Sequence, residues 1–125
     1  MKLPKTLLRI AAYAWASPNT LLGVVLGLAV LPCGGRVRIV RGVVEFAAGI
    51  PLRTRFDAIC FGHTIIGVSE AKLDAARDHE HVHVRQYEAW GPFFLLAYAA
   101  SSAWQLLRGR SMYYDNYFER EARFR

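Results

Sequence analysis

His79-Glu80-His81-Val82-His83 is the stretch of this chain whose residue types and spacing can do chemistry. On a helix, positions four apart share a face, so His79 and His83 can present two imidazoles to one metal ion. Glu80 lies one residue round from His79, where its carboxylate can take a proton from a water activated by that metal. The chemistry would be metal-assisted hydrolysis. So short a pattern also arises by chance. Here, though, all four histidines fall between residues 63 and 83, and three fall within five residues. A solvated helix face does not require that clustering. His81 points away from the His79/His83 face and reads as a supporting or surface residue. Arg77 and Arg85 flank the run with positive charge. Asp78 precedes the first imidazole and can orient it, or simply be a charge in an early helical turn.

A catalytic zinc takes three protein ligands and keeps one position for water. The third must come from downstream, and Glu119 and Glu121 both qualify. They lie about 200° apart round a helix, so only one can face the metal.

The elements that must position these residues follow from pattern. Val37–Val40 and Val43–Phe46, joined at Arg41-Gly42, predict a β-hairpin, and Ala58–Gly67 predicts a further strand. Ser69 is a plausible N-cap for a helix that carries the histidines and ends near Gly91-Pro92. Two apolar regions flank this part. Thr6–Ala16 and Leu21–Leu31 are separated by Ser17-Pro18-Asn19-Thr20, which predicts either one kinked span or a shallow hairpin. Pro92–Leu107 carries no charge over sixteen residues and is bracketed by Trp90 and Trp104. It is marginal as a span and can equally be a buried helix.

A chain of 125 residues is one domain at most. The formal charge of +6 raises nucleic acid as a partner. The basic residues instead bracket apolar runs, as at a membrane boundary, and no nucleic-acid motif is present. Nucleic acid is therefore set aside, and membrane lipid is the expected partner. Lysine and arginine number three before residue 10, eight between 33 and 91, and five from 108 onward. That spread favours insertion with every polar part in the cytoplasm. Cys33 and Cys60 have no metal-site spacing, so reduced thiols are expected. Leu31-Pro32-Cys33 is a poor lipoprotein box, and no Ala-x-Ala site supports a cleaved signal peptide.

The order of strand, turn, HExxH helix and a later helix with Asn116-x-x-Glu119-x-x-Ala122 resembles the gluzincin metallopeptidases in their minimal bacterial forms. The likeness covers about residues 56 to 123. It implies that Glu119 is the third zinc ligand, with Glu121 the runner-up, and that Glu80 is the general base. Where the family carries an aspartate after the alanine, this chain has Arg123. The run Cys60–Ile66 is similar to the family's edge strand, which pairs with an extended peptide substrate. On such a strand His63 can face the cleft and steady an oxyanion, or be an ordinary satisfied histidine. Tyr113, Tyr114 and Tyr117 raise the same two possibilities.

The expected fold is α+β, with a small antiparallel sheet packed on the HExxH helix and two apolar helices. An N-terminal apolar segment, residues 1–32, precedes a zincin-like domain over 33–125. The expected activity is that of a membrane-associated zinc metallopeptidase acting on a peptide or protein at a bacterial inner membrane. The alternative is a metal-binding or structural membrane protein without turnover.

Overall fold

The computed structural model describes residues 4–33, 35–48 and 57–124. Its first helix, α1 (Lys5–Val30), runs unbroken through Pro18, so the proline neither ends the helix nor makes a hairpin. Proline cannot donate to the carbonyl four residues back. Here Ser17 Oγ donates to that Ala14 carbonyl at 2.7 Å. One face of α1 is buried, at Ala16, Asn19, Gly23 and Gly27. A Cβ on Gly23 would lie 2.7 Å from Thr64 Cβ and 2.8 Å from Phe61 Cβ, so the helix backbone rests directly on the sheet. From Tyr13 to Gly27, α1 is packed on the rest of the chain.

The strands are β1 (Arg36–Val40), β2 (Val43–Ala47), β3 (Ala58–Phe61) and β4 (Thr64–Gly67), in the spatial order β1-β2-β4-β3. The first hairpin forms as expected, with positive φ at both Arg41 and Gly42, the conformation that matches a two-residue turn to strand twist. The expected strand over 58–67 is instead two, broken at Gly62-His63, where Gly62 has a φ of 59°. The sheet is also mixed rather than wholly antiparallel, because β4 pairs parallel with β2. The cause lies in burial. Thr64 and Ile65 are fully enclosed, so β4 takes the interior position and its hairpin partner β3 is left at the edge.

Residues paired across strands share a face. Val37, Ile39, Val44, Phe46, Thr64 and Phe61 therefore turn towards α1. Glu45, Ile65, Cys60 and Ala58 turn towards α2 (Glu70–Trp90), the histidine helix. Ser69 caps it as expected, its Oγ accepting from Lys72 N–H at 3.2 Å. Fully buried Leu73 packs against Gly67. A short 3-10 turn at Gly91–Phe93 leads to α3 (Phe94–Leu107), and a loop leads to α4 (Tyr117–Arg123).

The sheet grips α2 through a buried ion pair. Arg77 Nε and Nη2 donate to both oxygens of Glu45, at 2.8 and 2.9 Å, and Arg38 Nε adds a third contact at 3.2 Å. The Glu45 side chain is wholly enclosed. Burial raises its pKa, but the guanidiniums, Arg77 before Arg38, outweigh this and hold it below the usual value. Removing one partner strands a buried charge, so Arg77→Ala should cost about 3–5 kcal/mol in urea denaturation. Because the folded pKa of Glu45 is lowered, its stabilisation is complete above the ordinary value of 4.5. It fades as pH falls below that towards the folded pKa. Denaturation midpoints measured down through this range should fall more steeply in wild type than in Glu45→Gln.

Candidate metal centre

The face of α2 that carries His79 and His83 meets α4, and the two helices bring Glu119 to both imidazoles. His83 Nε2 lies 2.9 Å from Glu119 Oε1, and His79 Nε2 lies 3.2 Å from Glu119 Oε2. The ligand atoms of His79, Glu80 and His83 all fall within 4.8 Å of one another. Glu80, His83 and Glu119 are buried, and His79 is partly so. Glu121 sits elsewhere, accepting from Gln86 Nε2 at 2.9 Å.

Two carboxylates and two imidazoles in one enclosed volume impose their own electrostatics. Burial pushes the Glu80 carboxyl up to about 7, with the two imidazoles opposing this and Glu119 adding to it. Burial also pushes Glu119 up, but the His79 and His83 contacts win and hold it far below the usual carboxylate range. For His83 burial favours the neutral ring, and the hydrogen bond and charge of Glu119 reverse that, so its pKa is raised. The cluster therefore needs positive charge at its centre. Protons on the imidazoles can supply it, and so can a divalent ion. The donor set, two imidazole nitrogens and a carboxylate converging from two helices, fits zinc in number and type.

Of the three candidate ligands, His83 and Glu119 are each held by a further side chain. His83 Nδ1–H donates to Gln86 Oε1 at 2.7 Å, which leaves Nε2 as the nitrogen that faces Glu119. Gln86 Nε2 in turn donates to the Phe118 carbonyl at 3.0 Å, tying α2 to α4 beside the site. Tyr98 Oη donates to Glu119 Oε1 at 3.1 Å. Helix α4 starts on Asn116, fully buried, whose Oδ1 accepts from Phe118 N–H at 2.8 Å. Its Nδ2 donates to Ser102 Oγ at 2.7 Å and to the Tyr98 carbonyl at 3.0 Å. Helix α3 thereby serves as the bench on which α4 is set.

Gln86 and Tyr98 are the site residues that motif reading misses, and Asn116, part of the motif, gains its role as cap and anchor only from the packing. A signal for Tyr98 exists. Tyr98, Ser102 and Gln105 recur at i, i+4 and i+7 in an otherwise apolar run, which marks a face that receives another element.

A cavity of about 150 Å³ opens beside Glu80, His83 and Glu119, with all four residues of β3 on one side and Phe94, Leu95, Tyr98 and Tyr113 on the other. The edge strand over it is therefore β3, Ala58–Phe61, rather than Cys60–Ile66, since β4 is interior. The Cys60 carbonyl already accepts from Tyr87 Oη at 3.0 Å. His63 lies in the β3–β4 turn instead of on the edge strand. It stacks on Tyr13 with ring centroids 3.7 Å apart, and its Nε2 is 3.4 Å from Glu88. Asp78 pairs with Arg41 at 3.0 Å rather than with an imidazole. His81 does point away from the site, but it is buried and senses Arg41 and Glu45 rather than solvent. Of the three tyrosines, Tyr113 lines the cavity, whereas Tyr114 and Tyr117 are exposed. Arg123 donates to the Tyr114 carbonyl.

Neither protein-family models, curated proteins nor solved structures yield a match to this chain.

Gln86→Leu removes the acceptor that orients His83. Zinc affinity measured against a chromophoric chelator should drop about 10–100-fold, with far-UV circular dichroism unchanged.

Proposed function

We propose that this chain is a membrane-associated zinc metallopeptidase-like protein, similar in site design to the minimal gluzincins. The observation that carries the proposal is the convergence of His79, His83 and Glu119 on one point, with Glu80 beside it. His79, His83 and Glu119 hold the ion. Bound zinc supplies a Lewis acid that polarises a peptide carbonyl and brings the pKa of water to about 7. Peptide hydrolysis then needs a base that takes a proton from the attacking water and returns it to the departing amine. Glu80 would perform both tasks, and its buried carboxyl, raised to about 7, supports this because it holds or releases a proton near neutral pH. The substrate is a peptide or protein segment lying along β3 and the cavity beneath it. The Tyr87 bond to Cys60 leaves fewer free backbone groups there than a bare edge offers.

The cavity's size, about 150 Å³, favours a second reading, a metal-binding membrane protein without turnover. Helix α1 is long and apolar enough to cross a membrane. That property supports a place at a membrane, and the proposal takes it to be a bacterial inner membrane with the polar parts on the cytoplasmic side.

Wild type and Glu80→Gln should each retain about one zinc per chain. Cleavage of a peptide library should fall at least about 100-fold in the variant. Equal cleavage by both would end the peptidase reading, and equal inactivity would favour metal binding alone. Zinc below about one ion per two chains in wild type would end both. Since the pKa of His83 is raised, protons compete for its nitrogen. Zinc affinity should therefore rise between about pH 6 and pH 8 in calorimetric titration.

A further inference from the structure

Helix α1 has the reverse of the polarity that a helix on a water-soluble domain shows. Its hydrogen-bonding side chains face the protein. Tyr13 Oη donates to the Gly42 carbonyl at 2.7 Å, and Asn19 Nδ2 donates to the Gly91 carbonyl at 2.8 Å. Thr20 Oγ1 accepts from His63 N–H at 2.9 Å. Outward it presents Leu8, Leu21, Leu22 and Val25, each more than 40% exposed. Val37 and Ile39 of β1 continue this apolar side, at 47% and 74% exposure, because their partners Phe46 and Val44 lie on the α1 face. From Ile10 to Gly35 the chain carries no ionisable group apart from Tyr13 and Cys33. Polar residues turned inward and apolar ones outward suit a lipid surround.

We propose that α1 lies in the plane of a membrane, along one leaflet, and anchors the chain without crossing. This rests on the membrane reading given above. Against a crossing stand the charges that accompany α1 along its docked length. The turn that receives Tyr13 carries Arg41, paired with Asp78, and these side chains are 58% and 90% exposed. Beside the turn that receives Thr20, Glu88 faces His63 with 31% of its side chain exposed. A crossing helix would carry these groups to hydrocarbon depth, where charge is costly and rare. An in-plane helix sinks only its outer side and leaves the charged α2 side in water. Lys5 and Arg9, at the start of α1, and the net charge of +6 then meet anionic headgroups.

The test uses sealed vesicles of phosphatidylethanolamine with phosphatidylglycerol. Single cysteines at Leu8, Leu22 and Leu28 carry spin labels in a chain with Cys33→Ser, Cys60 being buried. The expected result is three similar shallow depths, about 5–10 Å below the headgroups, with binding weakened at least tenfold when phosphatidylglycerol is omitted. A Leu22 label about 10 Å deeper than the other two overturns the in-plane placement and leaves the membrane reading intact. No sedimentation with any vesicle overturns both readings, including the case in which a second copy of the chain covers α1.

Discussion

Glu119 lies between two imidazoles, and the site depends on that one contact. Its two oxygens meet the Nε2 atoms of His79 and His83 at 3.2 and 2.9 Å. With Glu80 beside them, four ionisable groups share a volume with little access to water. Such a cluster is stable only when protons or a cation offset the charge of its carboxylates. The remaining elements serve to bring α4 to α2 and keep it there. Asn116 starts α4 and pins it to α3, while Gln86 links His83 to the backbone of α4. On the other side of α2, Arg77 and Glu45 fix the helix to the sheet. The His-Glu cluster is thus positioned by hydrogen-bonded groups on three helices, each in contact with the next.

Local signals in the chain were legible where a single element decides the outcome. The Arg41-Gly42 hairpin, the Ser69 cap, the end of α2 at Trp90 and the two apolar helices all follow from residue type and spacing. So does the α+β class. What spacing does not encode is which strand becomes interior. Gly62-His63 looks like part of a strand, yet it turns the chain, and that turn puts β4 beside β2 in parallel. His63 moves with it, from an expected edge position into a stack on Tyr13. Pro18 allowed two outcomes, and the choice came from Ser17, whose hydroxyl satisfies the carbonyl that proline leaves open.

The choice between Glu119 and Glu121 shows the same division. Spacing says that only one can face the histidines, and resemblance to the gluzincins favours the first. The packing of α4 on α3 puts Glu119 at the imidazoles and turns Glu121 to Gln86. Tyr98 stayed hidden, and Asn116 was legible only as a motif residue, because their roles exist only once α3 and α4 meet. The apolar composition of α3 suggested a membrane, while its Tyr98 and Ser102 support the site. In α1 the balance is reversed, since its polar residues face the protein and its apolar ones do not.

The most direct test of the proposed metal centre is X-ray absorption at the zinc edge on zinc-loaded wild-type protein. The expected spectrum has two imidazole nitrogens and carboxylate or water oxygens at about 2.0–2.2 Å, and Glu119→Ala should lose the carboxylate contribution. A sulfur shell near about 2.3 Å, or a spectrum that Glu119→Ala leaves unchanged, would contradict it.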